Sequence, residues 1–256
     1  MTEKGIYQSL KKAKIKGEKK FIVLIDPDQV RLGNIDRILE AAAEAKIDMF
    51  FVGGSIIMDN ALELCLHQIK QQTNIPAILF PGNSFQINNQ ADGILFLSLI
   101  SGRNPELLIG KHVITAPYLK ESNLEIISTG YILIDGGAPS AVSYMSNTTP
   151  IPADKADIAA CTAMAGEMLG LKLVYLDAGS GAQMPVSEKM IKAVSSAISI
   201  PLIVGGGVKT PEKAIANMKA GADILVVGNA IEKNPALIKE ISEAVHSFNK
   251  NYSEQF

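Results

Sequence analysis

The sequence is poor in the residues that build disulfide frameworks, metal clusters and charged binding fields. Its 256 residues include no tryptophan, three histidines and two cysteines, and the formal net charge is -2. Cys65 and Cys161 are too few for a disulfide framework, so we expect two buried thiols in a reducing compartment. The small net charge excludes a nucleic-acid-binding protein held by a basic field. No run approaches the ~18 apolar residues of a transmembrane helix, and no apolar signal segment is visible, which predicts a soluble, cytoplasmic protein.

The chain is rich in short apolar runs that end in glycine, aspartate or proline. Such runs, without polar alternation, are typical of strands buried on both faces of a parallel sheet. Segments with helical spacing of apolar residues separate most of them. Eight strands give about one βα unit per 32 residues, which predicts one domain, a single (β/α)8 barrel over residues 1–256. The expected strands are 21–28, 49–55, 77–83, 93–98, 130–137, 173–181, 201–207 and 224–229.

Two connections depart from the repeat. The polar, asparagine-rich segment 81–92 is too short for a crossover helix, so we expect an irregular connection in place of the third helix. The segment 99–129 is longer than one βα unit. It is expected to hold a helix and an extra strand around residues 112–116.

Glycine-rich segments follow the last three predicted strands. They read "YLDAGSGA", "VGGGVKT" and "VVGNAIE", and each falls at the carboxyl end of its strand, where barrel enzymes carry their active sites. A single glycine pair is explained by a tight turn, but the N–H groups of several such loops can surround a phosphate. The sequence therefore predicts phosphate-binding loops after strands 6, 7 and 8, with a short extra helix after the eighth.

Polar side chains also end earlier strands. Asp26 in "LIDPDQ" is either a turn-capping acid or a ligand of Mg²⁺, which takes one or two carboxylates and leaves positions for water and phosphate oxygens. Ser55 offers a hydroxyl to the same ion or to a phosphate, or else caps the next helix. Asp135 is expected either to act at a strand end or to cap the following turn. The histidines lie away from strand ends, which disfavours a histidine acid–base or zinc mechanism.

Four ordered motifs carry a resemblance to a known family. "LIDPDQ", "DMFFVGGS", "YLDAGSGA" and "VGGGVKT…VVGNAIE" closely resemble the geranylgeranylglyceryl phosphate synthase family, including its bacterial prenylglyceryl phosphate synthase relatives. The likeness spans nearly the whole chain, and the segments around Pro139–Pro152 resemble the larger of the family's two subgroups. The resemblance implies Mg²⁺-dependent transfer of a prenyl group, geranylgeranyl, from a polyprenyl diphosphate to the 3-hydroxyl of sn-glycerol 1-phosphate. The product would be an ether-lipid precursor, and the protein a homo-oligomer, either a dimer or a hexamer.

The resemblance also implies roles for individual residues. The metal positions match Asp26 and Ser55. Asp177, where family members often carry glutamate, would take or relay the proton of the glycerol hydroxyl, and Tyr175 would bind glycerol or shape the pocket. The positions expected to bind sn-glycerol 1-phosphate are Tyr175, Leu176, Asp177, Ala178, Gly179, Ser180, Gly181, Gly206, Gly207, Gly228 and Asn229.

Two alternatives use the same loops. Another phosphate-binding barrel enzyme, such as a phosphosugar isomerase or an aldolase-like protein, would need a lysine or a second acid at the strand ends, and no lysine falls within the strand cores. A non-catalytic sensor of phosphate ligands would not need Asp26 and Asp177. A prenyl tail would need an apolar groove at the barrel top, expected from residues 95–100 and 116–119.

Overall fold

Eight parallel strands close into a barrel in a computed structural model that describes residues 5–28, 32–57 and 60–253. Each strand pairs with the next in sequence, and β8 pairs back to β1. The predicted (β/α)8 barrel is confirmed. The strands are β1 (Lys20–Ile25), β2 (Met49–Val52), β3 (Ala77–Leu79), β4 (Gly93–Leu99), β5 (Glu125–Leu133), β6 (Leu173–Asp177), β7 (Leu202–Gly205) and β8 (Ile224–Val227).

Helices surround the barrel and occupy every connection except the one between β3 and β4. That connection, in which every residue is described, forms bends and turns but no helix, as the sequence predicts. A π-helical turn, Glu106–Gly110, precedes α4. The short helix expected after the eighth strand is α9. The helices are α1 (Ile6–Lys16), α2 (Leu32–Ala45), α3 (Ala61–Gln72), α4 (Lys111–Glu121), α5 (Ala141–Ser146), α6 (Ala156–Met168), α7 (Glu188–Ala197), α8 (Pro211–Lys219), α9 (Asn229–Lys233) and α10 (Leu237–Ser253).

Side-chain alternation along the strands divides the apolar residues between two cores. In β6, Tyr175 points into the barrel interior, whereas Val174 and Leu176 pack between the strands and the helices. The period of two in strand geometry produces this division. Asp177, two residues beyond Tyr175, therefore faces the barrel interior at the carboxyl end of the strand.

Helix α1 closes the amino-terminal end of the barrel. Leu10 packs into the interior core, and the carboxylate of Glu125 accepts the N–H groups of Ile6 and Tyr7 at the start of the helix. A carboxylate at this position satisfies N–H groups that have no partner within the helix. Because one end is closed in this way, ligands must enter from the opposite end.

The extra strand expected around His112–Ala116 is wrong, because these residues belong to α4. The run of β-branched residues from Val113 to Thr115 suggested a strand. The buried residues of the helix are His112, Thr115 and Leu119, which follow helical spacing, while Val113 is exposed to solvent. The bounds expected for the fifth strand, 130–137, are also wrong. The strand spans Glu125–Leu133, because its pairing with β4 begins at Glu125.

Two further expectations concern burial. Cys65 is buried as expected, but Cys161 is exposed on α6, so the prediction of two buried thiols is half wrong. Periodicity does not distinguish the exposed side of α6, because the helix carries apolar residues on both its inner and outer faces. In the described part of the chain, no helix combines the length and the apolar character needed to cross a membrane.

Candidate active site

The loops after β6, β7 and β8 converge at the open end of the barrel. A Cβ atom on Gly206 would lie 2.7 Å from Asp177 Oδ1, so the seventh loop passes directly over the end of β6. The Asn229 amide of the eighth loop donates to Ser180 Oγ at 2.9 Å. Of the three loops that the sequence predicted to surround a phosphate, the sixth therefore contacts both of the others.

Glycine is required in these loops by backbone conformation. Gly179, Gly181, Gly206 and Gly207 have φ angles of 87°, 77°, 78° and 74°, in the left-handed region that other residues adopt only with strain. At Gly181 a Cβ atom would meet nothing within 4 Å. The backbone at Gly181 therefore borders open space, in which a ligand can approach it closely.

Asp177 is a buried carboxylate held by two donors. The Tyr131 hydroxyl donates to Oδ2 at 2.5 Å, and the Gly179 N–H donates to Oδ1 at 2.8 Å. Burial raises the pKa of Asp177, and these two hydrogen bonds act in the opposite direction by favouring the charged form. The arrangement gives a carboxyl group with raised proton affinity, fixed in orientation, beside the glycine loops.

Three aromatic rings form the wall beside Asp177. The Tyr131 and Tyr175 ring centroids are 5.4 Å apart, and Phe80 lies 6.0 Å from Tyr131 and 5.5 Å from Tyr175. Burial, followed by the charge of Asp177, raises the pKa of both tyrosines well above the ordinary value. Both hydroxyls are therefore neutral and able to donate. A Cβ on Gly205 would lie 2.5 Å from the Tyr175 hydroxyl, so the ring fills the space beneath the seventh loop.

The remaining residues that were predicted to bind glycerol phosphate can offer a ligand only their main-chain atoms. Leu176 and Ala178 are buried in the core between strands and helices, so only their main-chain atoms are available at the open end. A Cβ on Gly207 would meet Pro185 at 3.0 Å, and one on Gly228 would meet the Leu24 carbonyl at 3.3 Å. These glycines allow the loops to pack closely.

Asp26 and Ser55 lie at the ends of the paired strands β1 and β2. A Cβ on Gly54 would lie within 2.8 Å of all three atoms of the Asp26 carboxyl group, so the carboxylate rests against the peptide that precedes Ser55. The Gln86 side chain fixes this loop, because its amide donates to the Gly54 carbonyl at 2.9 Å and its oxygen accepts the Gly82 N–H at 2.9 Å. The structure thus places the Asp26 carboxylate against the residue that precedes Ser55.

The donor set at this position fits Mg²⁺. It consists of one carboxylate and one hydroxyl, and Mg²⁺ in phosphoryl sites commonly takes one or two carboxylates and completes its shell with water and substrate phosphates. Within the described residues no group of three or more His, Cys, Asp or Glu side chains could hold a metal ion. The cage of protein ligands that a structural metal requires is therefore missing from this part of the chain.

An apolar cavity of about 450 Å³ begins at Ser55 and runs between β4 and α4. Of the residues expected to line a prenyl groove, four from β4 and Leu119 from α4 do so, whereas Ser98, Ile100 and residues 116–118 do not. His112 also lines it, with Nε2 3.2 Å from the Ser98 hydroxyl, and burial lowers the pKa of the imidazole. The principal apolar lining residues are Ile56, Phe80, Ile87, Ile94, Leu95, Phe96, Leu97, Leu99, Leu107, Leu119, Tyr131, Val142 and Met145.

Comparison with known proteins identifies the family of this chain. Residues 13–245 match the model of the PcrB family. The chain belongs to the PcrB family. A geranylgeranylglyceryl phosphate synthase of Chitinophaga pinensis is 59% identical over 242 residues, which are 94% of this chain and 96% of the relative. One from Thermococcus kodakarensis is 42% identical over 221 residues, covering 86% of this chain and 87% of the relative.

A solved structure of a PcrB relative is similar over almost its whole length. The crystal structure of (S)-3-O-geranylgeranylglyceryl phosphate synthase from Thermoplasma acidophilum, in complex with the substrate sn-glycerol-1-phosphate, superposes with a TM-score of 0.90 at 33% identity. The match covers 95% of this chain and 99% of the other. The resemblance inferred from the four sequence motifs is confirmed.

Two polar residues of this PcrB-family site were not predicted from the sequence. Tyr131 pairs in register with Tyr175, and strand alternation along "GYILID" and "VYLD" was the signal that both rings face inward. Glu232 lies in the quoted motif "VVGNAIE", but only the fold shows that its carboxylate reaches the backbone of Asp26. Asp135 caps a turn, since its carboxylate accepts the Gly137 N–H at 2.9 Å.

Proposed function

We propose that the protein transfers a prenyl group from a polyprenyl diphosphate to the 3-hydroxyl of sn-glycerol 1-phosphate, as a geranylgeranylglyceryl phosphate synthase. One observation carries the proposal: Tyr131 lines the apolar cavity with its ring and donates its hydroxyl to Asp177. The apolar cavity, which suits a hydrocarbon tail, therefore lies next to the buried carboxylate of Asp177 and the glycine loops. Relatives that carry this name, and the Thermoplasma acidophilum complex with sn-glycerol-1-phosphate, support the assignment.

The acceptor would bind at the loops after β6, β7 and β8. Backbone N–H groups of the segment from Gly179 to Gly181 would surround the phosphate, and the open space at Gly181 allows that approach. Asp177 would then accept the proton of the attacking hydroxyl. Burial raises its pKa toward the working pH, which makes a carboxylate a more effective general base.

The donor would bind with its diphosphate near Asp26 and Ser55 and its tail in the apolar cavity. When bound by these two oxygen donors, Mg²⁺ would neutralise diphosphate charge and improve the leaving group. The cavity walls from β4 and α4 would orient the tail and exclude water, which favours attack by the glycerol hydroxyl over hydrolysis. Geranylgeranyl is the proposed tail, as the names of the relatives suggest.

The deciding experiment is a prenyl transfer assay with purified protein, sn-glycerol 1-phosphate, Mg²⁺ and geranylgeranyl diphosphate in competition with longer diphosphates. We expect an ether product, with geranylgeranyl preferred. A protein that binds the glycerol phosphate but forms no ether under these conditions would instead support a non-catalytic sensor or a different phosphate-dependent barrel enzyme.

The metal assignment is tested by replacing Asp26 with alanine. We expect Mg²⁺-dependent turnover to be abolished while glycerol phosphate binding and thermal unfolding stay close to wild type. Asp157→Ala is the matched control, because it removes an exposed carboxylate from α6, outside every loop that is assigned to a ligand. Wild-type turnover in Asp26→Ala would refute the metal assignment.

We also propose that the protein is a homo-oligomer, either a dimer or a hexamer. Helix α4 exposes Val113, Ile114 and Tyr118, which are 66%, 61% and 68% accessible in the single chain. Contiguous exposed apolar side chains of this kind are typical of interaction surfaces. Light scattering at micromolar concentration tests the proposal, and a monomeric mass would contradict it.

A further inference from the structure

Glu232 is a partly buried carboxylate that lies between the two predicted binding regions. It belongs to α9, which begins immediately after Gly228 at Asn229. The Ile231 side chain is fully buried, and its N–H donates to the Gly228 carbonyl at 2.8 Å, so the first turn of the helix continues directly from the eighth loop. The position of Glu232 therefore depends on the conformation of the eighth loop.

The carboxylate of Glu232 reaches the first loop. Its Oε1 accepts the N–H of Asp26 at 3.3 Å. Burial raises the pKa of Glu232, the hydrogen bond from Asp26 lowers it, and the charge of Asp26 raises it. Two carboxylates in the same partly buried region repel each other, so the contact is unfavourable unless a donor or a cation compensates for it. Glu232 has one such donor in the Asp26 peptide.

The opposite end of α9 reaches the sixth loop. Asn229 exchanges hydrogen bonds with the Ser180 hydroxyl at 2.9 and 3.2 Å. One helix of five residues thus contacts the loop assigned to glycerol phosphate through Asn229 and the loop assigned to the metal through Glu232. A ligand that fixes α9 at one end restrains the backbone of Asp26 at the other.

We propose that Glu232 is a positioning residue that couples the two binding regions, so that sn-glycerol 1-phosphate strengthens the binding of a divalent cation at Asp26. This inference rests on the proposed function for the identity of the two ligands. The physical basis is linkage: if the phosphate orders α9, and α9 orients Asp26, each ligand increases the affinity of the other by the same factor. The acceptor oxygen of Glu232 transmits the effect.

The test measures Mn²⁺ binding by electron paramagnetic resonance in the presence of inorganic diphosphate, with and without saturating sn-glycerol 1-phosphate. In the wild type we expect the phosphate to raise Mn²⁺ affinity by about 5–150-fold, the usual range for coupled sites. In Glu232→Ala the increase should fall at least fivefold, and Mn²⁺ affinity itself should fall by roughly 10–100-fold, as for loss of an outer-shell partner. Direct attraction between phosphate and cation is the same in both proteins, so the difference isolates Glu232.

A second variant and a control separate positioning from general damage. Glu232→Gln keeps an oxygen that can accept the Asp26 N–H, so it should retain most of the coupling that Glu232→Ala loses. Glu240→Ala removes an exposed glutamate from α10 and should behave as wild type. Calorimetric titration with sn-glycerol 1-phosphate in the absence of metal should give the same affinity for all four proteins.

The outcomes that overturn the proposal are distinct from those that overturn the proposed function. Wild-type coupling in Glu232→Ala, or equal loss in Glu232→Gln and Glu232→Ala, would refute the positioning role. A wild-type protein that binds both ligands independently would also refute the coupling, while leaving prenyl transfer intact. Failure of the wild type to bind sn-glycerol 1-phosphate would refute the proposed function itself and the coupling with it.

Discussion

Replacing Tyr131 with phenylalanine removes one hydroxyl from Asp177 and keeps the ring that lines the cavity. Tyr131 is 4% and Asp177 7% exposed, so water does not replace the lost donor. A hydrogen bond to a charged group contributes about 1.5–3 kcal/mol, and 1.36 kcal/mol corresponds to about one pKa unit. If Asp177 is the general base, the acid limb of the pH–rate profile should therefore move to higher pH by roughly 1–2 pH units.

The assay is kcat/KM for sn-glycerol 1-phosphate across the pH range, for the wild type and Tyr131→Phe. A general base must be ionised, so activity is lost as pH falls through its pKa, and a higher pKa moves that loss to higher pH. Tyr144→Phe is the matched control, because it removes a hydroxyl from a tyrosine that is 85% exposed on α5. An acid limb that stays in place while overall activity falls would refute the argument that Tyr131 controls the ionisation of Asp177.

The same substitution predicts a pH-dependent loss of stability. Above the pKa of Asp177 in both folded proteins, Tyr131→Phe should unfold with a free energy lower by about 1.5–3 kcal/mol, because the buried carboxylate has lost a donor. As pH falls and Asp177 becomes protonated in both proteins, the difference should shrink. Urea unfolding at several pH values measures it. A difference that does not change with pH would indicate lost packing rather than a lost charge-assisted hydrogen bond.

Three other predictions follow from the site and from burial. Asp177→Asn should lower kcat by about 10²–10⁴-fold. Burial raises the pKa of Asp177 in the folded protein, so the wild type loses stability as pH rises through that value and the carboxyl group ionises. Asp177→Asn should therefore be more stable than the wild type at neutral pH. This advantage should disappear below the ordinary pKa of 3.8, where Asp177 is protonated in both the folded and the unfolded wild type. Gly181→Val should raise KM for glycerol phosphate and leave KM for the prenyl diphosphate unchanged. The matched control is Gly170→Val, which imposes similar backbone strain, because Gly170 has a φ of 87° and no atom within 4 Å of an added Cβ. It should change neither KM. A thiol reagent should label exposed Cys161 in the native protein and reach Cys65, whose pKa burial raises to about 12, only after unfolding; rapid labelling of two thiols would contradict the buried position of Cys65.

The sequence by itself determined the barrel, because the information is local. Continuous apolar runs specify strands buried on both faces, and the absence of a helical pattern in residues 81–92 specifies an irregular connection. The left-handed conformations at Gly179 and Gly181 were also foreseeable, since glycines after a strand allow the backbone to turn without strain. Local sequence does not determine whether such glycines bind a ligand. The prediction that they bind sn-glycerol 1-phosphate came from the resemblance to the family motifs.

The tertiary structure decided which side chains meet. Local propensity favoured a strand at His112–Ala116, but the connection from β4 to β5 places this segment against the barrel, and burial of His112, Thr115 and Leu119 on one side selects a helix. The hydrogen bond between Tyr131 and Asp177 joins residues 46 positions apart, and the contact between Asp26 and Glu232 joins residues 206 positions apart. Such pairs depend on strand register and on the closure of β8 onto β1, and short stretches of sequence do not specify either one. The polar contacts of the site could therefore be identified only in the folded barrel.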